Sequence, residues 1–258
     1  LNRIERDGLA FYQFESFIGV HHGIFTRLGG VSEAPFGTLN MGGNVGDQAR
    51  AVRTNHERMY AALGVPETNA CTVWQVHSVD VVIANTPVQG RRWIAAADAM
   101  ITDRANTPLS MRFADCTPIL LHDPVKGVIG IAHAGWRGTV NGMAAKTIRA
   151  MVQAYGCKVS DIRAGIGPSI GPTRYQVGEE VLDAARAYFD DLEGLYRRDP
   201  ADGTAYFDLW AANRRDLQRA GVEQIEIAGI CTAENTNEFF SHRAEKGKTG
   251  RFGAVISL

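Results

Sequence analysis

The sequence contains no CxxC pair, no HExxH and no HxH, and its four cysteines, Cys71, Cys116, Cys157 and Cys231, stand far apart. Those absences exclude a zinc ribbon, a zincin helix and the paired histidines of a multicopper cluster. A metal centre in this chain must therefore gather its ligands from distant segments. Scattered thiols in 258 residues, enough for a sizeable core without staples, read as reduced cysteines and a cytoplasmic protein. No apolar run approaches ~18 residues, so no membrane span is expected, and the polar opening LNRIERDG is no signal peptide. Neither sign of charge is in excess. A net charge of −1 supplies no electrostatic reason to expect nucleic acid or an anionic membrane as a partner. Linkers, low-complexity tracts and fixed-period repeats are missing too, so residues 1–258 are expected to form a single domain.

What is present is organised around residues 109–138, LSMRFADCTPILLHDPVKGVIGIAHAGWRG. Residues 109–113 and 117–122 are apolar enough for buried strands, Asp123-Pro124 with Gly127 supplies turn chemistry, and residues 128–133 return as a second arm. With the turn centred between residues 124 and 126, opposed positions sum to between 249 and 251. Cys116 then faces position 133, 134 or 135, and in two of those three registers His133 shares its face. By itself such a pair fits a packed core as well as a site. Asp115 before the thiol and Ala134-Gly135-Trp136-Arg137-Gly138 after the imidazole add polar groups at the strand end.

The remaining elements follow from periodicity. Residues 17–25 read as a strand holding His21 and His22, followed by a glycine-bearing loop through Gly46. Asp47 is placed to cap a helix whose face is Val52, His56, Met59, Tyr60 and Leu63, with Gly64 after its end. Residues 71–84 alternate as one strand in which Val73, Gln75, His77 and Val79 share a side. Residues 139–155 give an amphipathic helix, with Arg137 and Gly138 at a candidate anion-binding N-terminus. Further strands are expected at 162–166 and 222–230, helices at 178–192 and after an Asp208 cap, and a charged surface excursion at 195–204. Strands interspersed with four such helices indicate an α/β (α+β) protein, and the hairpin favours antiparallel over doubly wound parallel sheets.

Several segments together resemble the laccase-domain family. They are HGIFTRLGGVS (22–32), WQVHS (74–78), ADAMITD (97–103), ADCTPILLHDP (114–124), IGIAHAGWRGT (130–139), GIGPSIGP (165–172) and FFSHR…TGR (239–251). That family has been named multicopper polyphenol oxidase and peptidoglycan editing factor, and its members are taken to be purine nucleoside phosphorylases that also deaminate adenosine. The resemblance implies an α/β/β/α sandwich with mixed, largely antiparallel sheets. It implies one Zn²⁺ on His77, Cys116 and His133, with copper a possible occupant in vitro. Two imidazoles and one thiolate suit tetrahedral zinc with an open fourth position, the catalytic arrangement. The substrates implied are phosphate and a small purine nucleoside: adenosine, inosine, guanosine or methylthioadenosine. A monomer or weak homo-oligomer is expected.

For phosphorolysis, Arg27, Arg137 and Arg243 are candidates for phosphate, Asn40 for polar recognition of the nucleoside, and Phe239 and Phe240 for stacking on it. Two departures from the family pattern weaken the flanking loops: Thr173-Arg174-Tyr175-Gln176 replaces a Cys- and Tyr-Glu-bearing segment, and position 244 is Ala. With only seven histidines and no HxH, laccase chemistry is not expected. Two rival readings stand beside the nucleoside enzyme. One is a Cys–His hydrolase or deamidase, with Cys116 as nucleophile, His133 as base and Asp115 as orienting group. The other is a non-catalytic protein stapled by zinc. His77 discriminates the first rival, because a thiol–imidazole pair has no need of it.

Overall fold

The computed structural model describes residues 1–85 and 93–258. Strands β1 (Asn2–Arg6), β2 (Leu9–Gln13) and β3 (His21–Phe25) precede helix α1 (Ala49–Leu63). Next come β4 (Thr72–Trp74), β5 (Val81–Ile83), β6 (Trp93–Ala96), β7 (Ala99–Thr102), β8 (Leu109–Phe113), β9 (Thr117–Asp123) and β10 (Val128–Ala134). Helices α2 (Trp136–Thr139) and α3 (Met143–Tyr155) lead to β11 (Arg163–Ile166), β12 (Gln176–Val177) and α4 (Glu179–Phe189). The chain ends through β13 (Tyr196–Arg198), β14 (Ala205–Phe207), α5 (Leu209–Arg219), β15 (Gln224–Ile227) and β16 (Phe252–Ser257).

Two large sheets face each other. One has the order β1-β2-β3-β16-β8 and is antiparallel throughout; the other, β15-β11-β9-β10-β7-β5, is antiparallel except at its two outer pairs. Period-two alternation sorts their side chains into layers. Ile129, Ile131 and Leu120 meet Met111, Phe113, Ala254 and Ile256 between the sheets. Ile119, Leu121 and Ala132 point outward onto Met143, Ile148 and Met151 of α3 and Leu217 of α5. Phe11, Phe25 and Val255 point out of the other sheet onto Met59, Tyr60 and Leu63 of α1. The expected α/β/β/α sandwich is the observed fold.

Some local expectations change. Residues 109–113 do not pair with the hairpin; β8 lies in the first sheet, and only β9 and β10 form the hairpin in the second. The Asp123 carboxylate builds its turn by accepting the N–H groups of Val125 and Lys126, at 2.8 and 2.9 Å. The strand expected over 71–84 breaks into β4 and β5, since Gln75 and Asp98 draw the intervening loop aside. The helix expected over 139–155 is interrupted at Gly142, whose φ of 74° and close approach to the Tyr188 hydroxyl exclude a side chain. Asp47 does not cap α1, because its carboxylate accepts from Ser32 Oγ and Asn40 Nδ2. The strand expected from residue 17 starts at His21, and the 195–204 excursion contains β13. Asp208 caps α5 as expected, accepting the N–H of Ala211 at 2.9 Å.

Far from the hairpin's site end, His22 and His122 are buried among Phe14 and Phe17. Burial holds both imidazoles below their ordinary range, His122 at about 4, where Arg163 and His22 add to the effect and Asp123 opposes it. The unfolded chain protonates near pH ~6.5 and the folded chain only lower, so this contribution is complete above ~6.5 and is lost as pH falls toward about 4. Urea midpoints measured at about pH 7.5 and about pH 5 should fall less in His122→Gln than in wild type, each proton carrying up to ~1.4 kcal/mol per pH unit.

Candidate metal centre and substrate cleft

The site lies where the chain passes from one sheet to the other. Residues 114–116 carry it from β8 to β9, and Asp115 makes the turn with φ at 80°, a left-handed conformation that Asp tolerates better than most residues. The Asp115 carboxylate accepts from Thr232 Oγ1 at 2.7 Å and from the Arg243 N–H at 2.6 Å. Its carbonyl accepts from the Ile170 N–H at 3.0 Å. Asp115 therefore ties the crossing to two other loops and does not orient His133, as the hydrolase reading expected.

The hairpin register, Val128 against Asp123 and His133 against Pro118, sets Cys116 opposite Gly135 and on the same face as His133. That face ends the layer between the sheets, with His133 5.4 Å from Phe113 by ring centroids. Gly135 is required by space: a Cβ there would lie 2.8 Å from Cys116 Sγ.

His77 arrives from the interrupted strand. Gln75 pairs with Arg112 of β8 like a strand neighbour, its Oε1 accepting the Arg112 N–H at 3.1 Å and its Nε2 donating to the Arg112 carbonyl at 2.8 Å. Two residues on, His77 takes a φ of 59°. Its Nε2 stands 4.0 Å from Cys116 Sγ, and its ring meets His133 edge-on at 5.1 Å. The ligand atoms of His77, Cys116 and His133 all lie within 4.8 Å of one another, the one His/Cys/Asp/Glu group of this kind among the described residues.

One buried carboxylate aligns both imidazoles. Asp98 Oδ1 accepts from His133 Nδ1 at 2.8 Å, while Oδ2 accepts the N–H groups of Val76 at 3.1 Å and Ser78 at 2.7 Å, on either side of His77. This fixes the His133 tautomer, leaving Nε2 directed at Cys116. Burial would raise the Asp98 carboxyl, but the His133 hydrogen bond and charge and the two N–H groups hold it below its ordinary range. Burial likewise opposes ionisation of Cys116, yet the facing His133 charge and hydrogen bonds with both histidines bring the thiol down to about 6. Against its own burial, His133 is raised to about 9 by the Cys116 charge and the Asp98 hydrogen bond. Both shifts act in the direction of a thiolate beside an imidazolium.

The trio opens onto a cleft of about 1000 Å³ that runs along β8 toward α1. Of the substrate residues expected from sequence, Arg243 lines it, with its guanidinium 5.3 Å from the Tyr175 ring. The others do not. Arg27 is spent on the carbonyls of Gly37 and Thr236 and on Glu245. Arg137 lies exposed over Trp136, outside the cleft. Asn40 is fully buried, joined to Gly42, Asp47 and the Arg251 N–H, so it positions a loop and has no group left for a nucleoside. Phe239 and Phe240 are core residues with no accessible face. Sequence reasoning missed Asp98, visible only as a polar residue opening a strand, and the cleft residues Trp74, Trp93, Arg112, Tyr175 and Arg251.

The family profile described as multi-copper polyphenol oxidoreductase laccase matches residues 21–258. A purine nucleoside phosphorylase of Deinococcus radiodurans is 39% identical over 241 residues, covering 93% of this chain and 90% of that protein. The purine nucleoside phosphorylase YlmD of Geobacillus stearothermophilus is 38% identical, with 93% and 90% covered. The crystal structure of that YlmD superposes with a TM-score of 0.92 at 35% identity, over 98% of this chain and 97% of that one. A Bacillus licheniformis protein, YfiH, superposes with a TM-score of 0.92 at 33% identity, over 99% and 98%.

In chelator-treated protein, the rate of Cys116 alkylation against pH should rise with a midpoint near about 6. Asp98→Asn removes the charge that stabilises the His133 imidazolium, so its midpoint should move upward. An unchanged midpoint would mean that Asp98 does not govern the pair.

Proposed function

The chain belongs to the multi-copper polyphenol oxidoreductase laccase family, and from its similarity to relatives named purine nucleoside phosphorylase we propose that it is a phosphorylase of purine nucleosides that also deaminates adenosine. The observation that carries this reading is the convergence of His77, Cys116 and His133 on the wall of a cleft of about 1000 Å³ lined by arginines and aromatic rings. Small-molecule sites have this size and this mixture of apolar walls and a few polar groups. Adenosine and inosine, then guanosine and methylthioadenosine, are the nucleosides proposed, with phosphate as co-substrate.

The donor set fits zinc. Tetrahedral bonds of ~2.0–2.3 Å separate ligand atoms by roughly 3.3–3.6 Å. Cys116 Sγ and His77 Nε2 are 4.0 Å apart and the whole trio lies within 4.8 Å, so side-chain movements of about 1 Å would bring the donors to that spacing. The thiol is already biased toward thiolate, and Asp98 holds the proton on His133 Nδ1, so zinc binding would release only the Nε2 proton of the His133 imidazolium. When bound, zinc supplies Lewis acidity and a water activated near neutral pH. The protein's own groups orient the reactants. Trp74, Trp93 and Tyr175 offer the aromatic surfaces for the purine that Phe239 and Phe240 do not. The cationic wall, including Arg243, stabilises phosphate and the negative charge that develops on the departing base. No disulfide joins the four cysteines, which fits the cytoplasmic setting proposed for the protein.

A second reading is favoured by one observation. Asp98, His133 and Cys116 align as orienting group, base and nucleophile, the arrangement of a thiol hydrolase. His77 separates the two. On the zinc reading, purified protein carries one zinc per chain. His77→Ala and Cys116→Ala should each then lose adenosine deamination and phosphate-dependent inosine cleavage by about 100-fold or more, measured by HPLC with and without phosphate. Thiol alkylation at Cys116 should require prior chelation. Substantial turnover by zinc-free His77→Ala protein would establish the thiol mechanism instead.

A further inference from the structure

Besides Arg243, two arginines of the cleft have no carboxylate ion-pair partner among the described residues. Arg112 donates from Nη1 to Thr72 Oγ1 at 2.9 Å and from Nη2 to the Val73 carbonyl at 2.7 Å. Arg251 donates from Nη1 to the carbonyls of Thr249, at 3.1 Å, and Gly250, at 2.8 Å. Burial holds both guanidinium groups below their ordinary range. Buried cations are ordinarily paired with an anion; here the direct partners are neutral, and Asp115 and Cys116 act on Arg251 only through space.

The strand register puts the two side by side. Arg112 of β8 faces Gly253 of β16, and Arg251 precedes Gly253 by two positions on the same side of the sheet. Arg251 stands just before the first paired residue, Phe252, so the two lie at diagonal positions at the end of the ladder, with backbones ~7–8 Å apart. Gly253 leaves no side chain between them; a Cβ there would lie 2.6 Å from Met59 Sδ. The carbonyl and hydroxyl partners hold each guanidinium in place, and several N–H groups of each fork remain for a ligand. The hydroxyls of Tyr60 and Ser110, 2.7 Å apart, line the same wall. The cleft's one lining carboxylate, among the described residues, is Asp115, whose oxygens accept from Thr232 Oγ1 and the Arg243 backbone N–H. Two like charges so close repel each other unless an anion lies between them. Arg112 and Arg251 line the same cleft as His77, Cys116 and His133, so an anion held here shares that cavity with the trio.

We propose that Arg112 and Arg251 form the subsite that binds a phosphate group in this cleft, in place of the arginines expected from sequence at positions 27 and 137. The proposal rests on the phosphorylase reading for its occupant, inorganic phosphate. A phosphate carried as an ester on the nucleoside offers the same oxygens. Bidentate N–H donation from two fixed guanidinium groups suits a tetrahedral oxyanion.

The test is a titration of the full chain with inorganic phosphate, followed by calorimetry and by melting temperature. Phosphate should raise the melting temperature of wild type, since it binds the folded form. Arg112→Gln and Arg251→Gln should each weaken phosphate binding by about tenfold or more, the scale of a lost charged hydrogen bond. Arg112→Lys and Arg251→Lys, which keep the charge, should retain part of the affinity and guard against misfolding of the Gln variants. In turnover, KM for phosphate should rise far more than KM for inosine. Competition by AMP would extend the subsite to esterified phosphate; its absence would restrict the subsite to the free ion. Wild type that does not bind phosphate, or Gln variants that bind it as wild type does, would overturn the subsite even if nucleosides are cleaved. Phosphate bound through both arginines without any nucleoside cleavage would leave the subsite standing and remove the phosphorylase reading.

Discussion

The carboxylate of Asp98 is the contact on which the candidate centre depends. Its two oxygens serve two candidate ligands from different segments: one accepts a hydrogen bond from His133 Nδ1, and the other accepts the N–H groups flanking His77. A carboxylate buried without partners costs several kcal/mol, so its position is strongly determined once three donors surround it. The same interaction selects the His133 tautomer, sets the bend that gives His77 its left-handed backbone, and promotes the thiolate of Cys116. Metal-binding histidines commonly lean on such a carboxylate, whose loss weakens metal affinity by roughly 10–100-fold.

The second constraint is topological. A sandwich of two sheets needs connections that leave one sheet and enter the other, and the segment from β8 to β9 is one of them. Asp115 makes that passage and is fastened to the loops around Ile170, Thr232 and Arg243. Backbone turned out of a sheet leaves polar groups and space at the end of the apolar layer. The trio occupies that end, with Phe113 closing the core behind His133. Gly135 opposite Cys116 keeps the thiol accessible from the facing strand.

The cleft carries a charge that the whole chain does not. A net charge of −1 conceals arginines gathered along one wall while carboxylates pair elsewhere, as Glu238 does with Arg3, Glu245 with Arg27 and Asp190 with Arg219. Local potential in a concave, partly desolvated site follows nearby groups and not the sum over the surface. That is the physical basis for reading anionic substrates into a chain whose composition gives no hint of them.

Local pattern was legible wherever it reports a local cause. Helical periodicity located α1, α4 and α5, Asp208 was recognisable as a cap, and Asp-Pro with Gly127 located the hairpin turn whose register sets Cys116 and His133 on one face. The meeting of His77 with that pair was legible only through resemblance, because nothing in residues 71–84 signals the break at Gln75. That break depends on Arg112 and Asp98, distant in sequence, and alternation alone favours one continuous strand. Arg27, Asn40, Phe239 and Phe240 belong to matching motifs, but motif membership does not distinguish a side chain that meets substrate from one that holds a loop. Tertiary structure made that division: it buried the two phenylalanines between sheets, spent Arg27 and Asn40 on carbonyls and carboxylates, and left Arg112, Tyr175 and Arg251 facing the cleft. Sequence by itself determined the residue types and the short-range geometry. Which of them share a site was decided by strand register and by the pairing of buried polar groups, both set by contacts between segments far apart in the chain.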